Sequence, residues 1–164
     1  MVTCSINRRP GWCTAVLAGV IAGTSATLIQ VLLWLVLTDA FPAILFRDAR
    51  LTAALVLGNS ALPPPATFDT GIMLVATLIH FALSLVYAAL LARLTLSLGN
   101  VPALLAGAVF GIVLYFVNLY GFTAIFPWFA QARGWITLIA HGVFGVTVIL
   151  VCRYPAVKNT QGFS

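Results

Sequence analysis

Apolar and polar positions along this chain do not alternate but separate into long blocks. Four stretches, approximately Thr14 to Leu37, Gly71 to Ala92, Pro102 to Phe122 and Trp135 to Cys152, are almost wholly apolar. A hydrocarbon core about 30 Å thick needs roughly 20 residues of helix, so each stretch predicts a transmembrane helix. The expected organisation is a cytoplasmic segment over residues 1–13, a four-helix membrane domain over 14–152 with a long outer connection at 39–70, and a cytoplasmic tail over 153–164. The connection holds a short apolar piece, Leu51 to Leu57, and the run Pro63-Pro64-Pro65. Neither crosses a bilayer: the first is too short, and prolines lack amide donors that lipid cannot replace. Ala43 to Gly58 mixes Arg47, Asp48 and Arg50 with Ile44, Leu45, Phe46, Leu51 and Leu55, which predicts a short helix at the interface or folded onto the bundle. Asp69 is placed to cap the second span. The first span follows Arg8 and Arg9, but its apolar run is far longer than the roughly 7–15 residues of a signal peptide, so it stays in the membrane.

Composition strengthens this reading and removes others. Hydrophobic residues make up 62% of the 164 and charged residues 7%, with mean hydropathy +1.12. A soluble domain, with about a quarter of its residues charged, is excluded. The net charge of +5 comes from scattered basic residues that form no stripe able to track phosphates, so nucleic acid is not an expected partner. Its meaning is topological. Arg8, Arg9, Arg93, Arg153 and Lys158 share one side with no acid, whereas Arg47, Arg50 and Arg133 share the other with Asp39, Asp48 and Asp69. The positive-inside rule then places both termini in the cytoplasm. Trp12, Phe41, Phe126, Trp128, Trp135 and Tyr154 fall near span ends, where aromatic rings anchor helices. Cys4, Cys13 and Cys152 have no metal or redox spacing and read as small apolar side chains.

The two halves of the chain share an order of features. Gly19 and Gly23 are followed by Gln30, Thr38 to Pro42, Ala49-Arg50 and, in the next span, Thr77-Leu78-Ile79-His80. Gly107 and Gly111 are followed by Asn118, Thr123 to Pro127, Ala132-Arg133 and Thr137-Leu138-Ile139-Ala140-His141. This order indicates a two-span repeat. Each copy has an even number of spans, so the copies are expected to be parallel, with Gln30, His80, Asn118 and His141 facing one shared layer in the outer half of the bundle.

Several chemistries suit such a layer. Gln, Asn and His act as hydrogen-bonding glue between transmembrane helices, and Gly19, Gly23, Gly107 and Gly111 let helices approach closely. Two histidines at similar depth on different helices are also the minimum for a b-type haem, with Ala82, Gly142 and Gly145 small enough to leave room. A metal site lacks further ligands. Transport is the third class, although no Glu exists and the three Asp lie in or beside the outer connection. No nucleophile with a partnered base and no phosphate-cradling loop is present. The leading expectation is a non-enzymatic membrane protein without a cofactor, working as a homo-oligomer or as an accessory subunit of a larger membrane complex. Its alternatives are small-solute or proton transport and haem binding through His80 and His141.

Leu62-Pro63-Pro64-Pro65-Ala66-Thr67-Phe68-Asp69, the run from Asn118 to Phe129 with its Phe126-Pro127-Trp128 segment, and Ala132-Arg133-Gly134-Trp135 resemble small bacterial four-span inner-membrane proteins, often labelled "sodium:proline symporter". The resemblance runs from about the first span to the fourth. It implies a bacterial inner-membrane location and carries no catalytic residue, because that group has no settled activity. Symporters of that name resemble chains of more than ten spans.

Overall fold

A computed structural model describes residues 12–153. Arg8, Arg9, Tyr154, Lys158 and Cys4, used above for orientation, anchoring and cysteine chemistry, lie outside the described residues. The described chain is all helical: α1 (Trp12–Leu37), α2 (Ala43–Leu57), α3 (Thr70–Leu94), α4 (Asn100–Phe116) and α5 (Trp135–Arg153), with short 3₁₀ turns between them. Four helical stretches are long and apolar enough to cross a membrane, Thr14–Leu37, Thr70–Leu94, Asn100–Ala124 and Trp135–Arg153. The protein is a multi-pass membrane protein built as a four-helix bundle. Large side chains such as Leu28, Leu35, Leu78, Val86, Leu105 and Leu150 remain exposed around it, as a bundle solvated by lipid requires.

Small residues set the packing. A Cβ on Gly19 would lie 2.9 Å from Leu85 Cδ2, and one on Gly23 would lie 2.8 Å from Ser84 Oγ, so α1 sits directly against α3. A Cβ on Gly107 would lie 2.7 Å from the Gly145 carbonyl oxygen, and one on Gly111 would overlap the His141 carbonyl. Glycine is required at the α4–α5 crossing because the obstructing atoms are backbone, which cannot rotate away. α1 also packs along α5, closing a core of Ala18, Ala22, Ala88, Ala103, Phe144 and Val148.

The helix ends follow local chemistry. Asp69 Oδ1 accepts from the Ile72 amide at 2.9 Å, as expected for a cap on α3. α2 ends at Gly58 with φ 70°, a left-handed conformation that favours glycine. Rather than lying free at the interface, α2 folds onto α3, burying Ala49, Ala53 and Ala54 against Ala61 and Ala76.

One relation departs from twofold symmetry. If α1–α3 and α4–α5 were equivalent pairs about an axis, α3 would pack on α4 as α1 packs on α5. α1 and α5 are in extended contact, whereas α3 and α4 are not. α4 also ends unlike α1, loosening into a π-helical turn at Val117–Gly121 before a 3₁₀ turn at Phe122–Ala124.

Candidate functional site: a cavity under the α2 cover

On the side of the bundle where α3 and α4 stand apart lies a half-open cavity of about 630 Å³, lined by every helix and by the segment after α4. Gln30, His80, Asn118 and His141 all line it. The four polar residues singled out in the sequence therefore border one space.

Each side chain reaches the cavity by helical spacing. Thr27, Gln30 and Trp34 follow one another on a face of α1, His80, Ser84 and Tyr87 on a face of α3, and Thr137, His141 and Phe144 on a face of α5. α2 contributes Leu45, Asp48, Thr52 and Leu55, and the segment after α4 contributes Phe122, Phe126 and Phe129. Phe126 and Trp128 were expected as lipid anchors. Instead Phe126 lines the cavity and Trp128 donates from Nε1 to the Leu51 carbonyl at 3.1 Å, tying the turn after α4 to α2. Trp135, 56% exposed at the start of α5, stays on the surface.

A directional chain of hydrogen bonds runs through the cavity wall. Tyr87 Oη donates to Asn118 Oδ1 at 3.1 Å. His141 Nδ1 lies 2.8 Å from the Thr137 carbonyl oxygen. A carbonyl only accepts, so Nδ1 carries the proton and Nε2 accepts from Asn118 Nδ2 at 3.5 Å. His80 has the opposite tautomer: its Nε2 lies 3.3 Å from the Gly23 carbonyl and 3.3 Å from Thr27 Oγ1. Its Nε2–H therefore donates, and Nδ1 keeps a free lone pair. Gln30 Nε2 donates to Thr137 Oγ1 at 3.4 Å. The edge of the His141 ring meets Tyr115, with centroids 5.7 Å apart and planes at 80°.

The bis-histidine haem geometry meets two obstacles here. Both ring nitrogens of His141 and Nε2 of His80 are engaged in protein hydrogen bonds. The room expected beside Gly145 is filled, because Gly145 lies against Gly107 and Gly111 of α4. No group of three or more metal-ligating side chains is assembled among the described residues.

Asp48 is one cavity residue that the sequence does not single out as a candidate. It lies in the outer connection, and α2 folds it inward to line the cavity. Burial pushes its carboxyl up to about 6, and the adjacent Arg47 only partly opposes that shift. Arg47 holds Asp48 Oδ1 from Nε at 2.8 Å and from Nη2 at 2.6 Å. The Leu45, Asp48, Thr52, Leu55 stripe, with steps of three and four, was the available signal. Tyr87 could be found in the same way, one helical repeat beyond His80.

Two further arginines hold the shell around the cavity. Arg133 donates from Nε to the Leu119 carbonyl at 2.8 Å and from Nη2 to Thr123 Oγ1 at 3.1 Å, while its guanidinium carbon lies 4.1 Å from the centre of the Tyr120 ring. It thereby supplies donors where the π turn interrupts the regular hydrogen-bond ladder. Arg50, only 8% exposed, donates from Nε and Nη2 to the Thr67 carbonyl, each at 3.3 Å, and clasps the end of the connection. Against protein-family models, curated proteins and solved structures, the chain has no match.

Proposed function

We propose that this protein is a non-enzymatic membrane protein that binds a small molecule in its central cavity, as a receptor or carrier within the bilayer. The observation that carries the reading is the cavity itself. Its volume falls within the roughly 300–1,000 Å³ typical of small-molecule sites, and its apolar walls present a few convergent polar groups. The same residues also bond across helix contacts, Gln30 to Thr137 and Asn118 to His141, so it is the space they border that carries the reading.

An assembly role, as a homo-oligomer or an accessory subunit, has less support. It drew on the small-residue faces, and these are occupied within the chain: Gly19 and Gly23 face α3, while Gly107 and Gly111 face α5. Descent from a duplicated two-helix unit is supported by matching contacts, Gly23 with His80 and Gly111 with His141. In the proposed setting, a bacterial inner membrane with both termini cytoplasmic, α2 and the cavity mouth face the periplasm.

Cysteine reactivity tests the reading. With Cys4, Cys13 and Cys152 replaced by Ser, Thr77→Cys on the cavity wall should react with a small uncharged maleimide. Ala18→Cys, sealed between helices, and Val86→Cys, exposed on the lipid-facing surface, should not. Equal inertness at all three positions would remove the accessible cavity and the function built on it.

A further inference from the structure

We propose that the cavity selects a ligand with an apolar body and a positively charged amine, and that Asp48 receives the amine. The proposal rests on the cavity-binding reading above and adds the class of ligand.

Charge is the first argument. Among the lining residues Asp48 is the one carboxylate, and no Lys or Arg lines the cavity. Arg47 contacts Asp48 Oδ1 only, which leaves Oδ2 without a protein partner among the described residues. The raised proton affinity of this carboxyl shows that Arg47 does not offset the cost of its burial. An ammonium at Oδ2 would supply the missing compensation, whereas an anion would meet a desolvated like charge.

The rest of the lining agrees. His80 Nδ1 and Gln30 Oε1 are unengaged acceptors, which suit N–H donors on the ligand. Donors are also left, at Trp34 Nε1 and in the second amide hydrogens of Gln30 and Asn118, so the polar inventory permits neutral groups and the carboxylate decides the sign. Trp34, Phe81, Tyr87, Phe126 and Phe144 line the walls, and aromatic faces attract cations more strongly as water is excluded.

Three matched probes separate the possibilities: phenylbutylammonium, phenylbutanol and phenylbutyrate, titrated against the full chain in lipid nanodiscs. The ammonium should bind saturably, raise Tm and bind at least tenfold more tightly than the alcohol, while the carboxylate should show no saturable binding. Asp48→Asn should abolish the preference for the ammonium over the alcohol. The ranking on the unaltered protein needs no variant, so it stands even if D48N fails to fold. Equal or tighter binding of phenylbutyrate, or an ammonium preference that survives D48N, would overturn the ligand class while leaving the cavity reading intact. Saturable binding of none of the three would overturn both.

Discussion

Tyr87 on α3 and Asn118 in the π turn that follows α4 meet at 3.1 Å across a gap that α3 and α4 otherwise leave open. The bond holds together the side of the bundle where the cavity lies, and it orients Asn118 so that its amide donates toward His141. Transmembrane side-chain hydrogen bonds contribute about 0.6 kcal/mol on average and up to about 1.7. Tyr87→Phe should therefore cost on the order of 1 kcal/mol in steric-trapping unfolding. Because the gap has little else bridging it, Tyr87→Phe should also speed the reaction of a cysteine at Thr77. A stability loss without that change in access would show that the bond does not control the gap.

The α4–α5 crossing gives a sharp contrast within one helix. A Cβ at Gly145 would run into the Gly107 carbonyl, whereas one at Gly142 would meet nothing within 4 Å. Gly145→Ala should lower stability by about 3 kcal/mol or more, the upper range for overpacking, and Gly142→Ala should be nearly silent. Equal melting temperatures for the two variants would contradict the crossing.

Arg133 and Arg93 provide a similar pair. Arg133 caps the Leu119 carbonyl beside the loosened turn, and its replacement by Ala should cost about 1–3 kcal/mol, the range for an orphaned polar group. Arg93 is exposed, so Arg93→Ala should stay within about 0.5 kcal/mol. Chemical denaturation in mixed micelles reads both.

Much of this arrangement was legible in the sequence. Span positions followed from apolar length alone, because only a helix satisfies its own backbone in lipid. Gln30, His80, Asn118 and His141 stood out as polar residues in an apolar setting, and the cavity gathers them. Two features were not legible. The gap between α3 and α4 is a relation between distant segments, and nothing in Val117 to Gly121 announces the π turn that carries Asn118. Asp48 was hidden because a short amphipathic helix can lie on a membrane or fold onto a bundle. The choice turned on alanines of α2 fitting against Ile72, Met73, Val75 and Ala76 of α3, a complementarity between distant segments. Position near a span end likewise does not say which way a ring turns: Phe126 lines the cavity and Trp128 bonds to α2.

Asp48 also sets a pH dependence. Its carboxyl is raised from 3.8 to about 6 in the folded protein. Between these values the folded state holds a proton that the unfolded state has lost, so this group's stabilising contribution is complete below pH 3.8 and disappears as pH rises through about 6. A shift of about two units corresponds to roughly 3 kcal/mol at about 1.4 kcal/mol per unit. The melting temperature of the wild type relative to Asp48→Asn should fall across that window and level off above pH 7. A constant difference from pH 4 to 7 would mean that the carboxyl is not buried as described.

Native mass spectrometry of protein released from its own membranes shows whether the cavity holds a small molecule there. Thr77→Trp places a large ring on the cavity wall and gives up only a threonine side-chain bond to the Met73 carbonyl. The unaltered protein should carry a small-molecule adduct, and Thr77→Trp, folded to the same melting temperature, should carry none. An unaltered protein that flies free of adducts, or adducts equal in mass and abundance on both proteins, would contradict the account.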